Sequence, residues 1–180
     1  MRGWRPWLGV AAMTLGLALA AQQLIPVLYK SAPPLPPLKS ADPAIRLTEA
    51  SGGVLTVYAD ETGARDAADN FDKTAATVAA VGRALKQGVS DDLAGVKTVR
   101  FQVRCEAVNR FGQELMAPLV AVDLPLSALR AADYAPAKSA AVLGLAQTAK
   151  LGAPGAYDAL AAWCADAGRS DKRFCEKVQS

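Results

Sequence analysis

The stretch Thr98–Leu124, TVRFQVRCEAVNRFGQELMAPLVAVDL, decides the fold. Val99, Phe101, Val103 and Cys105 alternate with Arg100, Gln102, Arg104 and Glu106. Successive side chains of a strand point to opposite faces, so this alternation predicts a strand with one buried and one wet side. Asn109-Arg110-Phe111-Gly112-Gln113 is a turn signal, with Gly112 able to take positive φ. A second strand is expected over Leu115–Leu124, so the whole stretch reads as a hairpin closed by about five residues. Pro118 has no N–H for a ladder, which points to an edge position or a bulge there. Taken as a regular strand, Leu115, Ala117, Leu119 and Ala121 share one face, and Met116, Val120, Val122 and Leu124 share the other. Both faces are apolar. Either helices cover both, or one face is kept for a partner.

On the N-terminal side, Gly53–Ala59 reads as a short strand and Ala64–Lys86 as a helix. Phe71, Ala75, Val78, Gly82 and Leu85 recur at spacings of four and three, one apolar stripe on a helix. Asp66 and Asp69 near its start, and Arg83 and Lys86 near its end, complement the helix dipole. Asp69 and Lys73 stand at i, i+4. On the C-terminal side, Pro125 and Ser127 open a short helical segment through Asp133. Helices are expected over Ala137–Leu151, Ala156–Asp166 and Ser170–Val178. The order is β-α-β-β followed by helices. The fold class is therefore α+β: a small antiparallel sheet with a helical C-terminal half. This domain takes residues 49–180.

Residues 31–48 read as a proline-rich tether. Prolines at 33, 34, 36, 37 and 43 favour polyproline II, at about 3.1 Å per residue. A spacer is the preferred role, and a docking strip for an aromatic groove is the other. Residues 1–30 form a membrane anchor or signal segment. Leu8–Tyr29 carries no charged side chain. As a helix it spans roughly 33 Å, close to the thickness of a hydrocarbon core. Trp4, Trp7 and Tyr29 mark an aromatic belt, and Arg2 and Arg5 favour a cytoplasmic N-terminus. Ala18-Leu19-Ala20 also fits a small-x-small cleavage site. The apolar run continues past it through Leu24–Tyr29, which favours an uncleaved single-pass anchor. Either way the domain is exported, to the periplasm if the alanine-, glycine- and arginine-rich composition marks a bacterium.

Three cysteines suit that compartment. Cys164 and Cys175 flank a helix stop and restart, where Gly168 is placed as the left-handed residue and Ser170 as the N-cap. They are expected to form a disulfide, with two buried thiols as the alternative. Cys105 reads as a buried structural thiol, with an intermolecular bridge as the alternative.

The chain contains no histidine. That excludes Ser-His-Asp and Cys-His catalysis and histidine-ligated zinc. No phosphate-binding glycine loop and no CxxC pair is present. A net charge of +3, with no block of basic residues, does not favour nucleic acid. No catalytic residue, metal ligand or cofactor is expected. The carboxylate pairs Asp60-Glu61, Asp66 with Asp69, and Asp91-Asp92 are the remaining catalytic candidates, each more simply read as a cap or a solvated face. Glu106 and Glu114 flank the hairpin tip, within reach of Arg104 and Arg110. The better interaction candidates are Arg110, Phe111, Leu115 and Leu119, because arginine and aromatics concentrate at interface hot spots. The expected function is that of a membrane-anchored accessory or structural subunit of a bacterial envelope assembly, acting through contact with other envelope proteins. The alternative is a cleaved, soluble periplasmic module binding a small apolar or peptide ligand.

Overall fold

A computed structural model of the chain describes residues 34–108, 110–135 and 139–179. β1 (Ile45–Ser51) and β2 (Val54–Glu61) form an antiparallel hairpin. Its turn uses Gly52 and Gly53, both at positive φ, a conformation that costs glycine nothing sterically. β2 leads through a long helix, α1 (Asp69–Gln87), to β3 (Thr98–Val108), which lies parallel to β2. β3 returns as β4 (Glu114–Pro125), and β5 (Thr148–Leu151) pairs antiparallel with Val120–Asp123. The sheet is mixed, five-stranded and ordered β1-β2-β3-β4-β5. α2 (Leu126–Ala131), a 3-10 turn (Ala140–Leu145), α3 (Pro154–Ala165) and α4 (Lys172–Gln179) complete the unit, which begins at Leu35.

α1 buries the expected stripe of Phe71, Ala75, Val78, Gly82 and Leu85. It meets Val99, Phe101, Val103, Val120, Val122 and Leu124 in one continuous core. Phe71, Trp163 and Phe174 cluster there, with ring centroids 5.6 to 6.4 Å apart. Trp163 Nε1 donates to Asp72 Oδ1 at 2.8 Å, and Arg169 Nε donates to Asp72 Oδ2 at 2.9 Å. One carboxylate thus ties α1 to the C-terminal helices. The other side of the sheet is polar. Arg100 forks onto Asp123 (2.6 and 2.8 Å) and Arg104 onto Asp60 (2.8 and 2.6 Å), in the bidentate geometry that suits guanidinium and carboxylate.

Several expectations change. The sheet is not simply antiparallel, because β2 and β3 run parallel across the α1 crossover. The two apolar faces expected of β4 do not exist. The register shifts opposite Val103/Arg104, where Pro118, Leu119 and Val120 bulge, and Leu119 and Val120 are both buried. Beyond that bulge Ala117 pairs with Cys105 and Leu115 with Ala107, so one face carries nearly all the large apolar groups. The tether expected over residues 31–48 is folded from Leu35: Leu38 is buried in a 3-10 turn and Ile45 opens β1. The helix expected over Ala137–Leu151 is a 3-10 turn followed by β5. α1 begins at Asp69 because the preceding loop is held by side chains. Asp69 Oδ2 accepts from Arg65 N at 2.9 Å, and Asp66 Oδ1 accepts from Asp69 N at 2.8 Å.

At the C-terminus, Cys164 and Cys175 form a disulfide, with Cα atoms 5.9 Å apart. The caps differ from expectation: Gly168 is not among the positive-φ glycines, and Asp171 Oδ1, not Ser170, accepts from Phe174 N at 3.0 Å. No helix among the described residues is long and apolar enough to cross a membrane. The apolar stretch 8–29 lies outside them.

Candidate functional site

β2 and β3 both run toward the N-terminal end of α1. That helix has 19 residues and spans roughly 28 Å. The chain enters the unit at the opposite end. A Cβ on Gly88, the C-cap of α1, would meet Leu35, and Ser90 N donates to Pro36 O at 3.0 Å. Leu38 N donates to Asp91 Oδ2 at 2.6 Å, so Asp91 fastens the entering segment. The β3–β4 hairpin tip therefore stands a full helix length from the point of entry.

The tip extends past the rest of the sheet. β2 accompanies β3 only as far as Cys105, and β5 accompanies β4 only over Val120–Asp123. Val108, Phe111 and Leu115 are 68%, 72% and 41% exposed, half of the six large exposed hydrophobics among the described residues. The Arg110 guanidinium sits 4.7 Å from the Phe111 ring centroid, a cation–π contact at the turn. Gly112 takes φ +77° there, as the turn demands. Of the expected contact residues, the structure brings Arg110, Phe111 and Leu115 together on this tip. Leu119 is not with them: it is 1% exposed at the bulge.

Beneath the tip lies a cleft of about 430 Å³. Its roof is the ribbon from Cys105 to Val108 and from Ala117 to Leu119, and its floor is the start of α1 and the start of α3. Asn70 lines it, is buried, and has an Oδ1 with no hydrogen-bond partner. Asp66 and Glu106 are the charged residues of the lining. Cys105 lines it as a free, buried thiol whose pKa is pushed up by burial and, secondarily, by Glu106. A thiol so placed is held in its protonated, less nucleophilic form. Sequence reading reached Cys105 and the tip. It missed Asn70 as a cleft residue, since nothing local distinguishes an orphaned amide at the start of a helix.

The carboxylate candidates disperse. Asp60 and Glu61 are neighbours on β2 and point to opposite faces. Hydrogen bonding from Arg104 holds the Asp60 carboxyl below its ordinary range. Glu61 turns inward, accepts from Thr77 Oγ1 at 2.8 Å, and has its pKa raised chiefly by burial. Asp66 and Asp69 cap the loop before α1. Asp92 Oδ1 accepts from Ala94 N at 2.9 Å, as a turn residue does. Glu106 takes no cross-strand arginine; its Oε2 accepts from Gly63 N at 2.7 Å, while Arg104 is committed to Asp60. Among the described residues no cluster of acidic or thiol side chains is placed to hold a metal ion. Comparison with protein-family models, with curated proteins and with solved structures finds no match for this chain.

Proposed function

We propose that this protein is a membrane-anchored accessory subunit of a bacterial envelope assembly and acts by protein–protein contact. Residues 8–29 cross the inner membrane once, with the N-terminus in the cytoplasm and the folded unit in the periplasm. The observation that carries the contact role is the gathering of Val108, Phe111 and Leu115, all exposed, at the end of α1 opposite the entry point. Leu35, where the folded unit begins, lies at the other end of α1 from this tip. The Cys164–Cys175 disulfide supports an oxidising compartment.

The test is photo-crosslinking in intact cells, with a benzophenone amino acid at Phe111 or Leu115 and a control at Glu49 on β1. Discrete adducts from the two tip positions, absent from the control, support the reading. A tip that crosslinks to nothing, or a C-terminal reporter active only in the cytoplasm, overturns it. The cleft favours a second reading: a soluble periplasmic module, released by cleavage after Ala20, that binds a small apolar or peptide ligand. N-terminal sequencing of the mature protein separates the two. Ala21 as first residue selects the soluble module, and an intact Met1 selects the anchor.

A further inference from the structure

The cleft beneath the hairpin has features that together specify its occupant. Ala117 of its lining ends a stretch of free strand edge. Over Glu114–Ala117, β4 has β3 on one side and no strand on the other among the described residues. Backbone groups along such an edge repeat at strand spacing, which an extended polypeptide matches and a compact small molecule does not. Beneath the edge the lining is apolar and made of small side chains, among them Ala107, Ala117, Ala153 and Ala156. The volume of about 430 Å³ falls within the range of ligand sites.

The polar groups in the lining narrow the chemistry. Asn70 is 9% exposed, and its Oδ1 meets no donor. A buried acceptor is costly until a donor reaches it. Asp66 and Glu106 are the charged residues of the lining, which contains no lysine or arginine; Arg65 and Arg169 act on Asp66 from outside it. Asp66 Oδ1 and Glu106 Oε2 each hold a backbone N–H, so both carboxylates are fixed in place.

We infer that the cleft seats an extended segment of a partner protein, added along the β4 edge, with a lysine or arginine among apolar residues. The cation faces Asp66 and Glu106, the apolar side chains fill the alanine-lined hollow, and an N–H of the segment meets Asn70. The inference rests on the envelope-contact reading for where the partner resides, and on the cleft alone for the partner's chemistry.

The probe is a random heptapeptide library panned against the full chain in mild detergent. The enriched peptide is then resynthesised with and without its basic residue, norleucine serving as the neutral replacement. Enrichment of apolar peptides carrying one lysine or arginine is expected, with at least tenfold weaker binding of the norleucine version. The double variant Asp66→Asn, Glu106→Gln keeps both backbone acceptors and should erase that difference between the peptides. Ala117→Trp fills the hollow and should abolish binding of both; if it misfolds by circular dichroism, the isosteric double variant still decides.

Enrichment of acidic or purely polar peptides, no enrichment at all, or a charge preference untouched by the double variant overturns the inference. So does a self-associated chain that becomes monomeric on Ala117→Trp, since the occupant would then be a second copy. Tip crosslinks that persist in cells despite a failed panning would sink this inference and leave the envelope-contact reading standing. A cytoplasmic reporter with successful panning would do the reverse.

Discussion

Replacing Cys164 and Cys175 together by alanine should cost the folded unit about 3 kcal/mol. The two residues are 11 apart in sequence, and the bridge closes the loop between α3 and α4. In the chain-entropy account, a loop of that length restricts the unfolded chain by about 2.8 kcal/mol at 25 °C. Cys175 is buried beside Phe174 and Trp163 in the core, so losing its sulfur adds a small void term of the same sign. Alanine avoids placing a hydroxyl there. For a unit of this size the loss corresponds to roughly 10 °C in Tm. The assay is urea unfolding of the full chain in mild detergent, wild type against the double variant, each with and without reductant. Reductant should bring the wild type close to the variant and leave the variant unchanged. Cys105→Ala should keep the wild-type response to reductant, since Cys105 is a free thiol. A loss below about 1 kcal/mol, or three reactive thiols in the unfolded, unreduced wild type, would refute the account.

Gly82→Ala in an open helix would be worth up to about 1 kcal/mol of added stability. Here a Cβ would overlap the Tyr134 ring and hydroxyl, which donates to Leu129 O, so overpacking reverses the sign and a net loss of about 1–2 kcal/mol is expected in the urea midpoint. Glu61→Gln should stabilise the chain at neutral pH. Burial raises the Glu61 pKa above its ordinary 4.5, so wild-type stability is full below that value and declines as pH rises toward the raised one. Urea midpoints of wild type and variant should coincide near pH 4 and separate by pH 7, and parallel curves would refute this. Asp60 and Asp123 have lowered pKa values, so their contribution is lost only as pH falls below the ordinary carboxylate range, outside that window. Deleting Leu119 should be no worse than Leu119→Ala, at about 2–5 kcal/mol, because the deletion regularises the ladder and leaves Ala117 opposite Cys105 and Val120 opposite Val103. A deletion variant that fails to fold, beside a folded Leu119→Ala, would show that the bend itself is required.

The legible parts of the fold are those whose pattern is enforced by burial. β3 is buried at every second residue from Val99 to Cys105, and α1 buries one residue per turn along its stripe, so periodicity survives in both. β1 is an edge strand in which only Ile45 is buried, and a strand that buries one residue leaves no alternation to read. β5 has four residues, of which only Leu151 is buried, and it follows an alanine-rich run whose intrinsic preference is helical. Neither edge strand carries a local signal strong enough to oppose propensity; both are set by pairing with distant residues. The parallel pairing of β2 and β3 had a signal, since a strand–helix–strand order with a crossover this long joins parallel strands.

The bulge in β4, which Pro118 signals in the sequence, shapes the candidate site. Pro118 cannot donate to a ladder, and Leu119 beside it stands out of the pairing, so the hydrophobic groups on either side stay on one face. Were Leu119 kept in the ladder, a single pleat phase running through Leu115–Leu124 would send either Leu115 and Ala117 or Val120, Val122 and Leu124 to the wet side. With Leu119 bulged out of register, Val120, Val122 and Leu124 fill the core, while Leu115 and Ala117 continue the same face past the end of the sheet. The place of Leu115 at the tip and of Ala117 in the roof of the cleft therefore depends on Leu119 standing out of the ladder. The two apolar faces that a regular strand would present are the trace that residue leaves in the sequence. A strand in which neither face is polar is a sign of a change in pleat phase, to be weighed before a second covering layer is invoked.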